Sequence, residues 1–194
     1  IFCDKSLGKD EFAFLKIAKK KNIDLILFNT EENLSLKEIK EKAKHCNIIF
    51  NNSAEEIAIE LTKTLEELGK RVIEPSRTYF YIEDKWMFYL KCKENKIPTP
   101  KTILLSESEK SIIKELEEFD NWPVILKTIE GTMGQFVEKA DNTKQAISII
   151  KKFWKKANER VPIIAQEFIK SPSYRATIIN KEIVNRPEVK AKLR

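Results

Sequence analysis

The sequence predicts two folds in succession: a small doubly wound α/β unit, followed by a region of α+β type. In the first 75 residues, apolar strands alternate with amphipathic helices, and the strands are too apolar to have a water-facing side. These features predict a parallel sheet covered by helices on both faces. After Ser76 aromatic residues become frequent, and strands come in pairs joined by turns with a helix after each pair. This second arrangement predicts an α+β region.

Composition indicates a globular protein with a solvated surface. The 194 residues are 42% hydrophobic and 34% charged, enough for one large or two small domains with a buried core. No apolar run approaches the roughly 18 residues that a membrane span needs. Cys3, Cys46 and Cys92 are odd in number and far apart, which argues against a disulfide framework or a zinc site. We therefore expect a cytoplasmic protein with no membrane partner.

The net charge of +6 raises nucleic acid as a partner, but the charge is spread out. Most lysines alternate with glutamates along helices, and the one clearly basic helix covers residues 144–160. A solvated surface explains most of the charge. Attraction for anionic substrates such as nucleotides comes second, and sequence-specific DNA binding is a distant third.

The elements of the first unit follow from apolar periodicity, capping boxes and glycine or proline stops. They are a strand at 1–3, a helix at 10–22, a strand at 23–28, a helix opened by the capping box 35–38, a strand at 47–50, a helix opened by a second box at 53–56 and stopped by Gly69, and a strand at 71–74. Residues 5–8, after the first strand, do not form a dinucleotide-binding fingerprint. Nucleotide binding is therefore not expected in this unit.

The second region begins with a helix at 83–95 whose aromatic face we interpret as core. The prolines at 98 and 100 end that helix. Next are a strand at 101–105, a helix opened by a third capping box at 106–109 and reaching about 119, a strand at 123–126, a strand at 136–139, a helix from about 143, a strand at 163–169 and a strand-like run at 175–184.

A lysine and a glycine-bearing turn follow the strand at 123–126. Lys127 brings a point charge, and Gly131 and Gly134 let backbone N–H groups approach oxygen atoms closely. This is a plausible way to hold a polyphosphate. Taken alone, it is also the pattern of an ordinary β-hairpin that ends in a solvated lysine.

Six short motifs in order resemble the ATP-grasp superfamily, closest to its RimK-like branch of ribosomal-protein glutamate ligases and lysine-biosynthesis ligases. The motifs are Asp84-Lys85-Trp86, Asn95-Lys96-Ile97-Pro98-Thr99-Pro100, Trp122-Pro123-Val124-Ile125-Leu126-Lys127, Glu130-Gly131-Thr132-Met133-Gly134-Gln135, Gln166-Glu167-Phe168-Ile169 and Tyr174-Arg175. The resemblance implies a pre-ATP-grasp α/β domain at 1–75, the small (lid) subdomain with its leading helix at 76–170, and a partial large subdomain at 171–194. The ATP-grasp domain would then be incomplete in this chain.

The resemblance also implies a function: an ATP-dependent carboxylate–amine ligase working through an acyl phosphate, with ATP and Mg²⁺ as cofactors. Its partners would be a small-molecule or peptide carboxylate and an amino acid such as glutamate. Two alternatives stay open: a nucleotide-binding module without catalysis, and a basic nucleic-acid-binding protein using the helix at 144–160. Relatives often associate, so a homo-oligomer also stays open.

The resemblance assigns roles to residues at matching positions. Lys85 and Lys127 would reach the ATP phosphates, and Arg175 would meet the phosphate or the acyl substrate. The remaining ATP-binding residues would be the flap, Glu130, Gly131, Thr132, Met133, Gly134 and Gln135, and the adenine segment, Gln166, Glu167, Phe168 and Ile169.

The chain departs from the family pattern in two places. Family flaps usually carry a small residue where this chain has Phe136, which predicts a stiffer flap. Residues 184–190 look like a late metal-binding motif that arrives too early, with Asn185 as a Mg²⁺ ligand and few acidic partners. We hypothesise that a stretch is absent between about Lys181 and Asn185. A break in the chain there would support this, and an unbroken chain would contradict it.

Overall fold

The computed structural model describes residues 2–3, 8–29, 35–53, 55–131, 134–185 and 188–189. The chain divides into two compact units, Ile1–Ile82 and Glu83–Arg194. Each unit has a separate cluster of buried apolar side chains. None of the described helices is long and apolar enough to cross a membrane.

The first unit contains two pairs of parallel strands and four helices. In chain order these are β1 (Phe2–Cys3), α1 (Lys9–Lys20), β2 (Phe28–Asn29), α2 (Leu36–Lys44), β3 (Ile49–Phe50), α3 (Glu56–Glu67), β4 (Val72–Ile73) and α4 (Ser76–Glu83). β1 pairs with β2 and β3 pairs with β4, both in parallel. Parallel pairing is as the apolar strands predicted. In the described residues the pairs form two separate two-stranded sheets, so a single doubly wound sheet stays a prediction.

The core of the first unit lies between the strands and two of its helices. Phe28 on β2 and Ile49 on β3 are almost completely buried, together with residues from α2 and α3: Ile39, Ala43, Ala58 and Leu65. The capping box that opens α2 is confirmed. Ser35 Oγ accepts a hydrogen bond from Glu38 N at 3.3 Å, and Glu38 Oε2 accepts one from Ser35 N at 2.7 Å.

The second unit is built on a four-stranded antiparallel sheet. Its elements are α5 (Lys85–Glu94), β5 (Thr102–Leu105), α6 (Glu109–Phe119), β6 (Val124–Thr128), β7 (Val137–Ala140), α7 (Thr143–Ala157) and β8 (Ile163–Glu167). The strand order is β5-β8-β6-β7, so β8, the last in sequence, lies between the first two.

One face of this sheet is covered by α6 and α7. Successive side chains of β6 alternate between the two faces, and Val124, Leu126 and Thr128 are the buried set. Leu116 of α6 and Phe153 of α7 pack in the same cluster. Ile125 and Lys127 therefore point to the opposite face, where neither helix covers them.

Four short strands follow: β9 (Tyr174–Arg175), β10 (Ile178–Ile179), β11 (Glu182–Ile183) and β12 (Glu188–Val189). β10 and β11 form a hairpin whose turn residues, Asn180 and Lys181, have φ values of 49° and 70°. Two positive φ values are typical of a tight two-residue hairpin turn. Residues 178–185 lie within and directly after this hairpin, and the hypothesis of a missing stretch there stays a prediction.

Several predicted boundaries are wrong for physical reasons. Residues 23–27 are not a strand, because Ile23 N donates back to Ala18 O at the end of α1. The predicted helix at 83–95 is α5, which begins after Asp84, and the helix before it, α4, was not predicted. The run at 175–184 is interrupted by the hairpin turn.

Two of the three predicted capping boxes do not form. Ser53 Oγ accepts a hydrogen bond from Glu55 N at 3.1 Å, and Glu55 takes the N-cap position of α3. Ser106 N donates to Glu115 Oε2 at 2.9 Å, and Ser108 caps α6 without a side-chain bond. In each case the serine lies outside the helix start: the Ser53 hydroxyl bonds Glu55 N instead, and the buried Ser106 hydroxyl has no hydrogen-bond partner among the described residues.

Candidate functional site

Lys127 lies on the face of the four-stranded sheet opposite to α6 and α7, joined to two neighbouring strands. Its ammonium donates to Gln166 Oε1 at 2.7 Å, and Gln166 Nε2 donates to Thr102 Oγ1 at 2.9 Å. These residues share a face because Thr102 pairs with Gln166, and Gln166 pairs with Ile125, the neighbour of Lys127 on the same side of β6. These two side-chain hydrogen bonds fix the ammonium of Lys127 over the central strands of the sheet.

Lys85 lies at the start of α5 and contacts the residues after β6. Asp84 caps the helix by accepting from Trp86 N at 2.8 Å and Met87 N at 2.9 Å. Lys85 N donates to Ile129 O at 2.9 Å, and Lys85 Nζ donates to Gly131 O at 2.9 Å and Ile129 O at 3.2 Å. The helix start and the glycine turn are thus held together by one residue.

The environment disfavours the charged form of both lysines. Burial lowers the pKa of Lys127, and the nearby Lys85 ammonium lowers that pKa further. Burial also lowers the pKa of Lys85, while the carboxylates of Glu83, Asp84 and Glu130 act in the opposite direction. Two partly desolvated cations that repel each other form a site that an anion would stabilise.

The turn after β6 is the predicted flap. The Thr128 hydroxyl donates to Glu130 O, and Gly131 and Gly134 have φ values of 109° and 75°. Such values favour glycine, so both glycines fit the backbone they occupy. Gln135 is exposed, and Thr132 and Met133 lie outside the described residues.

Phe136 occupies the position where family flaps carry a small residue, and its φ is 51°. A non-glycine residue rarely adopts this conformation, so its contacts must offset the strain. Its ring lies 5.5 Å from the Phe153 ring in an edge-on arrangement, and Lys156 Nζ lies 4.9 Å from its centroid. These contacts attach the base of the flap to α7, a role that the sequence did not reveal.

The segment predicted to meet adenine runs along and beyond the end of β8. Glu167 N donates to Lys101 O at 2.9 Å, and Lys101 N donates to Glu167 Oε1 at 3.0 Å. Phe168 N donates to Pro123 O at 3.3 Å. Phe168 and Ile169 are 42% and 51% exposed, so apolar surface is available beside Gln166. Backbone groups fix this segment while its apolar side chains stay open to solvent.

Arg175 and Asn185 lie among the short strands after β8. Arg175 is exposed on β9 and pairs with Glu188 on β12 through the backbone. Asn185 Oδ1 accepts a hydrogen bond from Thr177 N at 2.7 Å, which occupies the oxygen predicted to bind metal. Their roles remain predictions.

The described residues do not fit a magnesium site by themselves. Across the ranges that the structure describes, no three His, Cys, Asp or Glu side chains come together to hold a metal ion. Mg²⁺ prefers several hard oxygen ligands, and Asn185 offers one that is already bonded. No step of the chemistry below is therefore assigned to a protein-bound metal.

Sequence reasoning missed two members of the site. Thr102 orients Gln166, and Asp84 sets the start of α5 from which Lys85 reaches the turn. The signal for Asp84 was present, because an Asp before a helical run is an N-cap pattern. Thr102 had none, because its partner is 64 residues away.

A protein-family model matches almost all of the second unit. Residues 82–192 match the RimK-like ATP-grasp domain. The chain belongs to the RimK-like ATP-grasp family. The match extends over more than half of the chain, including the lysines, the flap and the segment after β8. The RimK-like resemblance of the six sequence motifs is thereby confirmed.

Individual relatives agree with this family. The α-aminoadipate–LysW ligase LysX of Saccharolobus solfataricus is 35% identical over 79 residues, which are 40% of this chain and 28% of the relative. The chain thus matches less than a third of that ligase.

Solved structures share the fold at low identity. A RimK domain ATP-grasp protein from Sphaerobacter thermophilus aligns with a TM-score of 0.70 at 18% identity, over 91% of this chain and 67% of the other. The D-alanine–D-alanine ligase of Bacillus anthracis, complexed with ATP, aligns with a TM-score of 0.59 at 16% identity, over 98% and 69%. The RimK-like ATP-grasp fold is thus mixed α/β.

Proposed function

We propose that the chain binds ATP on the face of the four-stranded sheet that carries Lys127 and uses it for carboxylate–amine ligation. The observation that carries this proposal is the pair Lys85 and Lys127. Both have a lowered pKa, they repel each other, and Lys85 bonds the glycine turn that follows β6. A polyphosphate is the ligand that relieves this repulsion, and several related structures are complexes with ATP or ADP.

The proposed binding mode divides ATP among three elements. Lys127 and Lys85 neutralise phosphate oxygens, and residues 130–135 close over them as a flap. The adenine packs against the exposed side chains of Phe168 and Ile169, beside Gln166 and Glu167. Mg²⁺ would enter with the polyphosphate, as it commonly does in phosphoryl-transfer sites.

The proposed reaction has two steps. A substrate carboxylate attacks the γ-phosphorus of ATP, giving an acyl phosphate and ADP. An amine then attacks the acyl carbon, forming an amide and releasing phosphate and a proton. The protein contributes mainly position and charge neutralisation, because a phosphoryl group in transfer carries charge on its oxygens. Arg175 is proposed to hold the acyl substrate, since a guanidinium matches a carboxylate.

Substrates and organisation follow by analogy with named relatives. LysX is a ligase of α-aminoadipate and LysW, so we propose that this chain joins an amino acid such as glutamate to a small-molecule or peptide carboxylate.

We further propose the division 1–75, 76–170 and 171–194 for its functional parts, with Asn185 as a candidate Mg²⁺ ligand. A cytoplasmic location is proposed from the free thiols of Cys46 and Cys92.

Transfer of ¹⁸O tests the acyl phosphate directly. The chain is incubated with Mg²⁺, ATP and pools of amino acids and small dicarboxylates whose carboxylates carry ¹⁸O. The account predicts amine-dependent phosphate release, with one ¹⁸O carried into each phosphate. Phosphate released without the label would contradict an acyl phosphate. ATP binding with no turnover in any pool would favour a nucleotide-binding module.

A further inference from the structure

A cavity of about 390 Å³ lies at one end of the four-stranded sheet. Its walls are the residues directly after β6, the base of the flap at Phe136, and the loop that joins α7 to β8. Small-molecule sites commonly measure roughly 300–1,000 Å³, so the space suits a small metabolite.

This cavity lies on the opposite side of the sheet from Lys127. Thr128 lines the cavity and belongs to the buried set of β6 that faces α6 and α7. Lys127, its neighbour, points the other way because strand side chains alternate. The cavity therefore lies across the sheet from Lys127, and it shares Glu130 and Gly131 with the residues proposed to bind ATP.

Hydrogen bonds hold the cavity walls in place. Ile129 N donates to Pro162 O at 3.1 Å, which ties the end of β6 to the start of β8. Trp154 Nε1 donates to Val161 O at 2.9 Å, which fixes the loop after α7. A site whose walls are already bonded loses little conformational entropy when it binds a ligand.

The lining combines an apolar surface with charges of both signs. Ile129, Phe136 and Val161 supply apolar atoms, while Arg160 and Glu159 are exposed at the α7 side. One Arg160 N–H is used, from Nη1 to Glu107 O at 3.2 Å, and a guanidinium has five. The guanidinium carbon also lies 5.4 Å from the centroid of the Trp154 ring, and the N–H groups that remain can bind a carboxylate. Glu159 immediately precedes Arg160, and Glu130 follows β6. Their carboxylates can bind an ammonium.

We propose that this cavity binds a free amino acid with an apolar side chain, its carboxylate on Arg160 and its ammonium on the neighbouring carboxylates. Gly131 also lines the cavity, and its carbonyl oxygen accepts a hydrogen bond from Lys85 Nζ. An occupant would therefore contact the same turn from the cavity side. The proposal does not depend on ligase activity.

Binding is tested by calorimetric titration of the nucleotide-free chain with L-phenylalanine, hydrocinnamate and phenethylamine. We expect L-phenylalanine to saturate at millimolar concentration. Each analogue lacks one charge and should bind at least about tenfold more weakly. Equal binding of hydrocinnamate and L-phenylalanine would overturn the proposed ammonium contact, and no saturation by any probe would overturn the site.

Two variants locate the binding. Ala157→Phe fills the cavity from α7 and should abolish binding, and Arg160→Gln should weaken it about tenfold or more. Lys144→Gln, which removes an exposed cation at the other end of the same helix, should leave it unchanged. Arg160 is exposed, so its variant keeps the test valid if Ala157→Phe does not fold. L-Phenylalanine binding that survives Arg160→Gln undiminished would place the ligand elsewhere.

Discussion

Lys127 has one neutral hydrogen-bond partner, Gln166, and a second cation near it, Lys85. A structural lysine in a partly buried place usually has a carboxylate partner, because an unpaired charge is costly to desolvate. Lys85 lies near the carboxylates of Glu83, Asp84 and Glu130, whereas burial and the Lys85 ammonium both act against the charge of Lys127. Perturbed lysines of this kind indicate a functional site more strongly than the sequence pattern alone does.

Titration of Lys127 gives a prediction for stability against pH. Its folded pKa lies below its unfolded value of about 10.4, so the unfolded chain binds more protons between the two values. The free energy of unfolding should therefore rise with pH across that window through this group. Removing the group with Lys127→Met should stabilise the chain more at neutral pH than at alkaline pH.

Denaturant unfolding of the unmutated chain and Lys127→Met across this range measures the difference. Only the pH dependence is diagnostic, because the variant also leaves Gln166 Oε1 without its donor. A bound polyphosphate should favour the ammonium form and reduce the pH dependence. A stability difference that stays constant with pH would contradict the proposed cost of the Lys127 charge.

Helix α5 begins at Lys85, one of the two lysines proposed to bind the phosphates of ATP. The Asp84 carboxylate accepts two backbone N–H bonds at the start of the helix. Asp84→Ala should lower the free energy of unfolding by about 1 kcal/mol, the usual value of an N-cap. The same change should weaken nucleotide binding, because Lys85 is the first residue after the cap.

Ser108→Ala is the matched control for this helix cap. Ser108 holds the N-cap position of α6 but makes no side-chain cap bond, so its replacement should cost only a few tenths of a kcal/mol. Chemical denaturation compares the two variants. Equal destabilisation would show that the Asp84 bonds contribute nothing to stability.

Helix α7 joins the core to the base of the flap through Phe153. This side chain is 2% exposed and its ring meets that of Phe136. Phe153→Ala should cost about 3–5 kcal/mol, through lost burial and the cavity left behind. Phe88→Ala, at a position 54% exposed on α5, should cost less than about 0.5 kcal/mol. Denaturant unfolding checks both, and similar costs would contradict the assignment of the core.

At the scale of the whole molecule, the sequence pattern predicted the features that residues close together in the chain form. The Lys127–glycine turn, helix α7 after the pair β6 and β7, and the capping box at Ser35 depend on residues a few positions apart. Order of the motifs along the chain then supplied the family, which no single motif could.

Long-range pairing explains what the sequence could not show. Lys127 meets Gln166 across 39 positions, and Lys85 meets Gly131 across 46. The first contact depends on β8 lying beside β6, and the second on the start of α5 meeting the turn after β6; no local periodicity encodes either arrangement. Phe136 was expected to stiffen the flap, but its partner Phe153 becomes visible only when α7 packs on the sheet.

Nucleotide binding by the unmutated chain, Lys127→Ala and Lys151→Ala is the most direct test of the central claim. Thermal unfolding is followed with increasing ATP and Mg²⁺, and a ligand at one hundred times its Kd should add about 2.7 kcal/mol of stability. Lys127→Ala should weaken binding by about tenfold or more, because it removes a charge-assisted hydrogen bond. Lys151→Ala, an exposed cation paired with Glu109 on the helix-covered side, should bind as the unmutated chain does. No stabilisation of the unmutated chain, or an equal loss in both variants, would contradict the account.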